Sequence, residues 1–372
     1  MNSGIGIHNG RMHRTLSMLQ LRLFDTTPEF HFIISTTSIV EGVNTSAKNV
    51  LVCSHKKGPS NLDSLTFKNI KGRAGRMSTH YVGNVYLFDK PAKVNSAEIV
   101  DLSPTRQDVL PLLSEDVNIP LDAADLERVE EEKQLLVDSL GEDLYRQIVA
   151  SGKIRRMRSK RLISLVDTLR KDMALVASLR ELMQFSAPQK WVVPLTNIQK
   201  PIGFFLECCP KIGGNYSAFA RNVVALSYNW TQTVRNVLNN FYPCTDMPIE
   251  HYFDVERNMS FKFAGLMADL NVVVRSMYPA MHIDLNEWVW RASNAFLPHT
   301  VYQLEEMGLP RMLSRKIQDE NLFDFERAGI TLADALTFFT RTNTAQLLTK
   351  IKSTHPFDAY VLDYFYEGLP HR

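Results

Sequence analysis

The sequence predicts an α/β unit followed by a mainly helical region, and two observations lead to this fold class. Over residues 4–100, short apolar or β-branched runs alternate with helical patterns and short links, which is typical of a parallel sheet. From Asp101 onwards, apolar residues instead recur at helical spacing, most clearly over 159–184 and 217–241. The predicted parts are the α/β unit at 1–100, a linker with a helical hairpin at 101–185, and a helical accessory domain at 186–372.

The elements of the α/β unit follow from the position of each apolar run. GIGI and HFII are short β-like runs, and an amphipathic stretch that ends near Phe24 separates them. The predicted elements are strand 4–8, helix 12–25, strand 30–36, a helix or turn at 44–48, strand 49–53, a loop, helix 64–71 and strand 83–88. We expect this sheet to leave an apolar face uncovered, including Ile5, Ile7 and Ile33.

The helical region is predicted from capping residues and from apolar stripes. Pro120 and Asp122 open an acidic helix that Gly141 closes, and helices over 142–150 and 159–184 follow. The core-facing stripes are predicted at Leu162, Leu165, Val166, Leu169, Met173, Val176 and Leu179, and at Phe219, Val223, Leu226, Trp230, Val234, Val237 and Phe241. Further helices are predicted to about residue 365.

Composition excludes several classes of protein. The chain has 372 residues with 45% apolar content and a formal net charge of +2, so global charge argues neither for nor against a nucleic-acid partner. No apolar run reaches the ~18–20 residues that span a bilayer, and the N-terminus does not resemble a signal peptide. The four cysteines lack zinc-site spacing, so we expect no metal site. The adjacent Cys208 and Cys209 are interpreted as buried residues in a reducing cytoplasm.

Three short segments carry the chemistry of the α/β unit. GIGIHNGRMHRTLSMLQLRLFD spans residues 4–25, STTSIVEGVN spans 35–44, and NIKGRAGR spans 69–76. The second follows a predicted strand, and ligands bind at strand ends in open α/β sheets. The third places two arginines beside glycines that let the backbone turn tightly, so that always-charged guanidinium forks can meet phosphate oxygens.

In this order and spacing, the three segments resemble motifs IVa, V and VI of the superfamily-2 helicases, especially the superkiller-like and DEAD/DEAH branches. The resemblance covers the first quarter of the chain and implies part of the second RecA-like domain of such an enzyme. It implies ATP as cofactor, with Mg²⁺ held by a domain that this chain lacks. The stretch at 41–50 is also similar to motif V of bacterial defence helicases, so an anti-phage role is a hypothesis.

The resemblance also assigns residue roles. Arg73 and Arg76 match the arginines that face a nucleotide bound to the partner domain and stabilise its terminal phosphates. The residues matched to nucleotide binding are Gly42, Asn44, Asn69, Gly72, Arg73 and Arg76. The residues matched to contacts with a nucleic-acid strand are His8, Gly10, Arg11 and Thr36.

The sequence departs from this family in ways that limit the assignment. Asn69 stands where glutamine is usual, and Thr37 stands where an acidic residue is common. Neither a GxxxxGK[ST] loop nor a DExH string occurs anywhere in the chain. We therefore predict the C-terminal part of an ATP-dependent helicase, which binds single-stranded DNA or RNA and is inactive alone. Its first RecA-like domain would be a missing segment or a separate subunit. The alternative is a non-catalytic nucleic-acid-binding or adaptor remnant of a helicase.

Two further segments leave alternatives open. The basic run at 153–161 is predicted either to bind phosphates or to pair with acidic residues at 127–132 in a helical hairpin. The stretch at 304–317 resembles a helix–hairpin–helix that could hold a phosphate, although Pro310 replaces its second glycine. Two short core helices with a proline start are the other interpretation of that stretch.

Overall fold

A computed structural model gives the structure of the chain. It describes residues 4–9, 12, 14–36, 47–54, 56–57, 60–62, 64–75, 80–89, 113, 123–184, 223, 230–241, 249, 252–253, 256 and 258–369. The chain divides into two compact units, Met1–Leu102 and Ser103–Arg372. The described part is mostly helical, and its strands all lie in the first unit.

The first unit alternates strands and helices. Its elements are β1 (Ile5–His8), α1 (Arg14–Thr26), β2 (Phe32–Ser35), β3 (Asn49–Val52), β4 (Lys56–Lys57), β5 (Ser60–Asn61), α2 (Ser64–Lys71) and β6 (Asn84–Leu87). β1 pairs with β2 and β3 pairs with β6, both in parallel, as the alternating pattern predicts. The predicted loop after β3 is partly wrong, because β4 and β5 form a short antiparallel pair there.

One face of the β1–β2 pair is apolar and exposed. Ile5 lies opposite Phe32 and Ile7 lies opposite Ile34, so all four side chains share a face, and they are 43–62% exposed. The prediction of an uncovered face is confirmed for Ile5 and Ile7. It is wrong for Ile33, which is half-buried. Successive strand residues point to opposite faces, so Ile33 lies on the other side from Ile34.

The second unit is helical over its described residues. Its elements are α3 (Ala123–Leu140), α4 (Glu142–Tyr145), a π-helical turn (Arg146–Ala150), α5 (Ser159–Lys171), α6 (Met173–Gln184), α7 (Val234–Phe241), a π-helical turn (Met259–Phe263), α8 (Ala264–Met277), a 3₁₀ turn (Pro279–Met281), α9 (Asn286–Ser293), α10 (His299–Glu306), α11 (Arg311–Asp319), α12 (Leu332–Thr340), α13 (Thr344–Lys350) and α14 (Pro356–Glu367). None of the described helices is long and apolar enough to cross a membrane.

The prediction of one helix over 159–184 is wrong, because the structure divides it at Asp172. The Asp172 backbone leaves helical geometry, with φ −112° and ψ 82°. Its carboxylate accepts a hydrogen bond from the Leu175 amide at 2.9 Å, which caps the start of α6. Aspartate competes for backbone groups in this way, so it separates helices that the apolar period alone would join.

Two apolar cores hold the second unit together. The larger core contains buried residues of α3, α5, α6, α8 and α9, including Leu136, Leu165, Leu179, Met267 and Trp288. The smaller core contains buried residues of α10 to α14. The first predicted stripe is confirmed as core except for Met173, which is 49% exposed at the first position of α6.

The second predicted stripe is described only in part. Val223 and Val237 are buried, Val234 and Trp230 are half-buried, and the indole of Trp230 donates to Glu326 at 3.2 Å. Phe219 and Leu226 lie outside the described residues, and so does the side chain of Phe241.

Candidate functional site

The carboxyl ends of β1 and β2 place two predicted site residues side by side. The Thr36 amide donates a hydrogen bond to the His8 carbonyl at 3.2 Å, directly after the last pair of the ladder. The Thr36 side chain is exposed. Thr36 therefore lies at the surface, at the carboxyl end of β2, where the sequence predicts a contact with a nucleic-acid backbone.

His8 differs from Thr36 because its side chain is buried, with 6% exposure. Desolvation lowers the pKa of the imidazole below the usual 6.5, so the ring is neutral at pH 7. A neutral imidazole can accept or donate a hydrogen bond, but it does not attract phosphate as a cation does. The predicted contact between His8 and nucleic acid stays a prediction.

Gln20 and Phe30 fix β1 in place, and the sequence interpretation missed both. The Gln20 Oε1 atom accepts a hydrogen bond from the Ile7 amide at 2.7 Å, which ties α1 to β1. A Cβ atom on Gly6 would lie 2.5 Å from the Phe30 ring and 2.8 Å from Gln20 Oε1. Gly6 is therefore required by close packing. The signal in the sequence was a single glutamine between Leu19 and Leu21 in the predicted helix.

The turn after α2 contains the predicted arginine segment. The amides of Gly72, Arg73 and Ala74 donate to carbonyls of the last helical turn at 2.9–3.1 Å. The Gly75 amide then donates to the Ala47 carbonyl at 2.8 Å, and the Asn84 amide donates to the Lys48 carbonyl at 2.9 Å. The structure thus brings the turn at 72–75 against the chain that follows the predicted motif V segment.

Two glycines permit this close approach. Gly75 has φ +83°, and a Cβ atom there would lie 2.9 Å from the Gly83 nitrogen. A Cβ atom on Gly83 would lie 2.1 Å from the carbonyl carbon of Ala74. Gly72, in contrast, would meet ordinary contacts at 3.5 Å. The tight turn therefore depends on Gly75 and on Gly83, which was not predicted, and Gly72 is not needed for it.

The side chains of the turn differ in exposure. Arg73 is half-buried and Asn69 is exposed. The Lys71 ammonium lies 4.9 Å from the centre of the Phe67 ring, a cation–π contact that holds one cation on α2 itself. The other predicted site residues, namely Gly10, Arg11, Thr37, Gly42, Asn44 and Arg76, lie outside the described residues.

The part of the chain that the structure describes contains no group of three or more His, Cys, Asp or Glu residues arranged to hold a metal ion. Arg73 carries a guanidinium, whose chemistry suits a phosphate, and its predicted contact with a nucleotide stays a prediction.

In the stretch at 304–317, which was the second predicted phosphate contact, the basic residue at the helix start pairs with carboxylates of the protein itself. Arg311 begins α11, and its guanidinium contacts Glu305 at 2.6 Å and Glu256 at 2.7 Å. These two carboxylates raise the pKa of Arg311 well above its usual value, although burial opposes the shift. Leu304, Leu309, Leu313 and Ile317 are fully buried. The geometry agrees with two short core helices.

The basic run meets a carboxylate that sequence reasoning did not find. Asp269 of α8 is 3% exposed, and it accepts hydrogen bonds from the amides of Arg155, Arg156 and Met157 at 2.6–3.1 Å. Desolvation raises the pKa of Asp269, while the three amides and Arg156 act in the opposite direction. α3 and α5 pack together as the hairpin interpretation predicts; their pairing through charge stays a prediction.

Comparison with known proteins finds two relatives, and each is similar to this chain over a limited stretch. No family model matches the chain. Anti-bacteriophage protein B of Escherichia coli (strain K12) is 37% identical over 102 residues, which is 27% of this chain and 14% of that protein. DNA polymerase theta of Caenorhabditis elegans is 33% identical over 78 residues, which is 21% of this chain and 5% of that protein. The chain thus spans a small part of the length of the curated relatives that it matches.

Proposed function

We propose that this chain is the C-terminal part of an ATP-dependent nucleic-acid helicase with a role in defence against phage. In this proposal, the first unit belongs to a RecA-like domain and supplies Arg73 and Arg76 to a nucleotide. A separate polypeptide or a further segment holds that nucleotide and its Mg²⁺. ATP would supply the phosphoanhydride whose hydrolysis drives movement along the strand.

The observation that carries the proposal is the 2.8 Å hydrogen bond from the Gly75 amide to the Ala47 carbonyl. It joins the turn that bears Arg73 to the chain just beyond STTSIVEGVN. The turn that bears Arg73 thus meets the chain at Ala47, three residues beyond the end of the other segment singled out for nucleotide chemistry. Converging loops of this kind at an α/β sheet are where phosphate ligands bind.

The exposed face of the β1–β2 pair is an argument that this chain binds further protein. Ile5, Ile7, Phe32 and Ile34 form a contiguous apolar surface on a parallel sheet. Parallel sheets are normally covered on both faces, because their strands are apolar on both sides. We infer that further protein covers this face in the working enzyme.

The names of the two relatives support the biological setting. One is named for action against bacteriophage and the other for DNA synthesis. Each match covers about a quarter of this chain or less, so the proposal takes from them only a nucleic-acid-related defence role. The specific chemistry rests on the motif resemblance and on the turn geometry.

The proposal is tested by ATP hydrolysis in two settings. The purified chain alone should not release phosphate from Mg²⁺–ATP in the presence of single-stranded DNA, because it lacks the phosphate-binding loop and the acidic motif. A polypeptide that carries those two motifs and is encoded beside this chain should become a strand-stimulated ATPase when the two are mixed.

Substitution then identifies the role of the arginines. In the mixture, Arg76→Ala should lower turnover by about 10³-fold or more, while strand affinity changes by only a few fold. Arg180→Ala, at an exposed position of α6, is the matched control and should have no effect. Hydrolysis by the chain alone, or equal turnover of the Arg76→Ala and control mixtures, would contradict the proposal and favour a non-catalytic adaptor.

A further inference from the structure

The basic segment, residues 153–160, has exposed cations between buried anchors. Lys153, Arg155, Arg156 and Lys160 are exposed, whereas Ile154 and Met157 are only 4% and 3% exposed. Six of these eight residues precede α5, so most of the segment is not a helical face. Buried apolar side chains thus fix a non-helical stretch whose cations point to solvent.

Asp269 fixes the backbone of this segment further. Its two carboxylate oxygens accept the amides of Arg155 at 3.1 Å, Arg156 at 2.7 Å and Met157 at 2.6 Å. A buried carboxylate is costly unless it is hydrogen-bonded, and three amide donors offset that cost. The carboxylate therefore holds three consecutive residues in one conformation.

α8 also directs one of the cations. A Cβ atom on Gly265 would lie 3.0 Å from Arg156 Cγ, so the stem of Arg156 lies directly across the helix at this glycine. Any larger residue at position 265 would displace it. The guanidinium of Arg156 is thereby presented beside α8 by its packed stem.

The acidic helix α3 is the alternative partner for these cations. α3 packs against α5, but two of its acidic residues already pair within the helix, Asp125 with Arg128 and Glu130 with Lys133, each at 3.2 Å. Within the described residues, the side chains of Lys153, Arg155, Arg156 and Lys160 have no ion pair within 4.0 Å. Four exposed cations are thus available to an external anion, although the charge of Arg156 also acts on the buried carboxylate of Asp269.

An exposed aromatic ring lies about one helical turn from the glycine against which the stem of Arg156 packs. Phe261 is 70% exposed in the π-helical turn that leads into α8, about one helical turn before Gly265. The stem of Arg156 lies at Gly265, so the ring and the guanidinium share one part of the surface. Cations that follow a backbone, combined with an aromatic ring on which a base can stack, are the features that bind single-stranded nucleic acid.

We propose that the basic segment and Phe261 form a binding surface for single-stranded nucleic acid. The four cations lie within at most ~25 Å of chain and contact successive phosphates, while Phe261 stacks on a base. Phosphate contacts position a strand without reading its sequence, so binding should be independent of sequence. All of these residues lie in the second unit, so the inference does not rest on the proposed ATPase.

The test is the binding of a fluorescein-labelled oligothymidylate to the full chain, measured by anisotropy over a series of KCl concentrations without ATP. The cation variant carries Lys153→Gln, Arg155→Gln, Arg156→Gln and Lys160→Gln. The matched control removes the same charge from other exposed positions, with Lys171→Gln, Arg180→Gln, Arg341→Gln and Lys350→Gln.

The cation variant should bind at least about tenfold more weakly, and its plot of log K against log salt should flatten by ~0.7 for each lost contact. The control should keep most of the affinity and the slope. Phe261→Leu should weaken binding about fivefold or more with the salt slope unchanged, because stacking does not release counterions. All of these substitutions are at exposed positions, so the melting temperature should stay the same.

Asp269→Asn distinguishes two effects of the carboxylate on binding, namely the positioning of the basic segment and the net charge of the surface. Loss of a negative charge beside the cations should strengthen binding if only net charge matters. If the carboxylate positions the segment, affinity should instead fall several fold, and amide exchange at 155–157 should accelerate.

Three outcomes would overturn the proposal. The first is equal weakening of the cation and control variants. The second is an unchanged salt slope with a lower melting temperature in the cation variant, which would place these cations against α3. The third is displacement of oligothymidylate by polyglutamate at equal charge, together with no effect of Phe261→Leu, which would indicate an acidic protein partner.

Discussion

Arg311 and Glu305 form a two-pronged ion pair in the second unit, with Nε–Oε1 at 2.9 Å and Nη2–Oε2 at 2.6 Å. Glu256 contacts the same guanidinium from outside the α10–α11 pair at 2.7 Å. This cation begins a basic helix, yet its charge is compensated within the protein. It therefore acts in the core of the unit rather than in contact with an external phosphate.

Arg311→Gln should destabilise the second unit by about 3–5 kcal/mol, because two carboxylates would lose the guanidinium that compensates them. Thermal and urea denaturation measure this effect. Arg146→Gln breaks an exposed pair with Glu142 and should cost less than about 1 kcal/mol. A folded Arg311→Gln protein of normal stability, with strongly reduced affinity for oligothymidylate, would instead assign this helix to the strand surface.

Gly83→Ala should lower the free energy of unfolding of the first unit by about 1–3 kcal/mol, because its Cβ would overlap the Ala74 backbone. Gly72→Ala is the matched control, since its Cβ would meet only ordinary contacts, and it should change stability by less than about 1 kcal/mol. Hydrogen exchange of peptides from β3 and β6 in the full chain reports the difference. Equal protection in the two variants would show that the turn at 72–75 does not need the close approach.

Ile33→Thr and Ile34→Thr should differ although the residues are adjacent. Ile33 is half-buried, so a hydroxyl there should cost about 1 kcal/mol, whereas Ile34 is 62% exposed and should tolerate it. Ile34→Thr should also reduce binding of an apolar dye. Melting curves and dye fluorescence test both points. Destabilisation by Ile34→Thr as large as that by Ile33→Thr would mean that the face is covered.

His8 should make the first unit sensitive to acid. Burial holds the folded pKa below the unfolded value of 6.5, so the unfolded chain binds the proton more readily. Stability from this residue is therefore complete above pH 6.5 and is lost as the pH falls towards the depressed pKa. After correction for the intrinsic exchange rate at each pH, the protection factors of β1 amides should fall on acidification in the native protein and fall less in His8→Gln. His282→Gln, at an exposed position, should behave as the native protein does.

Local patterns predicted much of the fold, and tertiary contacts account for most of what they missed. The apolar period placed Leu162, Leu165 and Leu169 in the core. Alternating elements predicted parallel pairing in one sheet, and the described strands pair in parallel in two separate two-stranded sheets. The break at Asp172 was missed because one capping hydrogen bond outweighs a continuous apolar stripe.

In the candidate sites too, local features were predicted and contacts between distant residues were missed. The turn at 72–75 was found from its glycines and arginines, because short-range geometry determines such turns. Its partner Gly83 and the partners of Arg311 were not found, because these contacts join residues distant in sequence. A single acidic residue in a helix, such as Asp269, gives no local sign that it will bind a loop more than a hundred positions earlier.

The separation between Met157 and Asp269 also has a consequence for how the protein is made. The two residues are 112 positions apart, and synthesis proceeds at about 5–20 residues per second, so the basic segment leaves the ribosome about 6–22 s before its carboxylate. The helices from α3 to α6 share their core with α8 and α9 and cannot complete it earlier. A nascent chain stalled before residue 269 would therefore expose apolar surface beside a cluster of cations, and a chaperone would be its natural partner until α8 emerges.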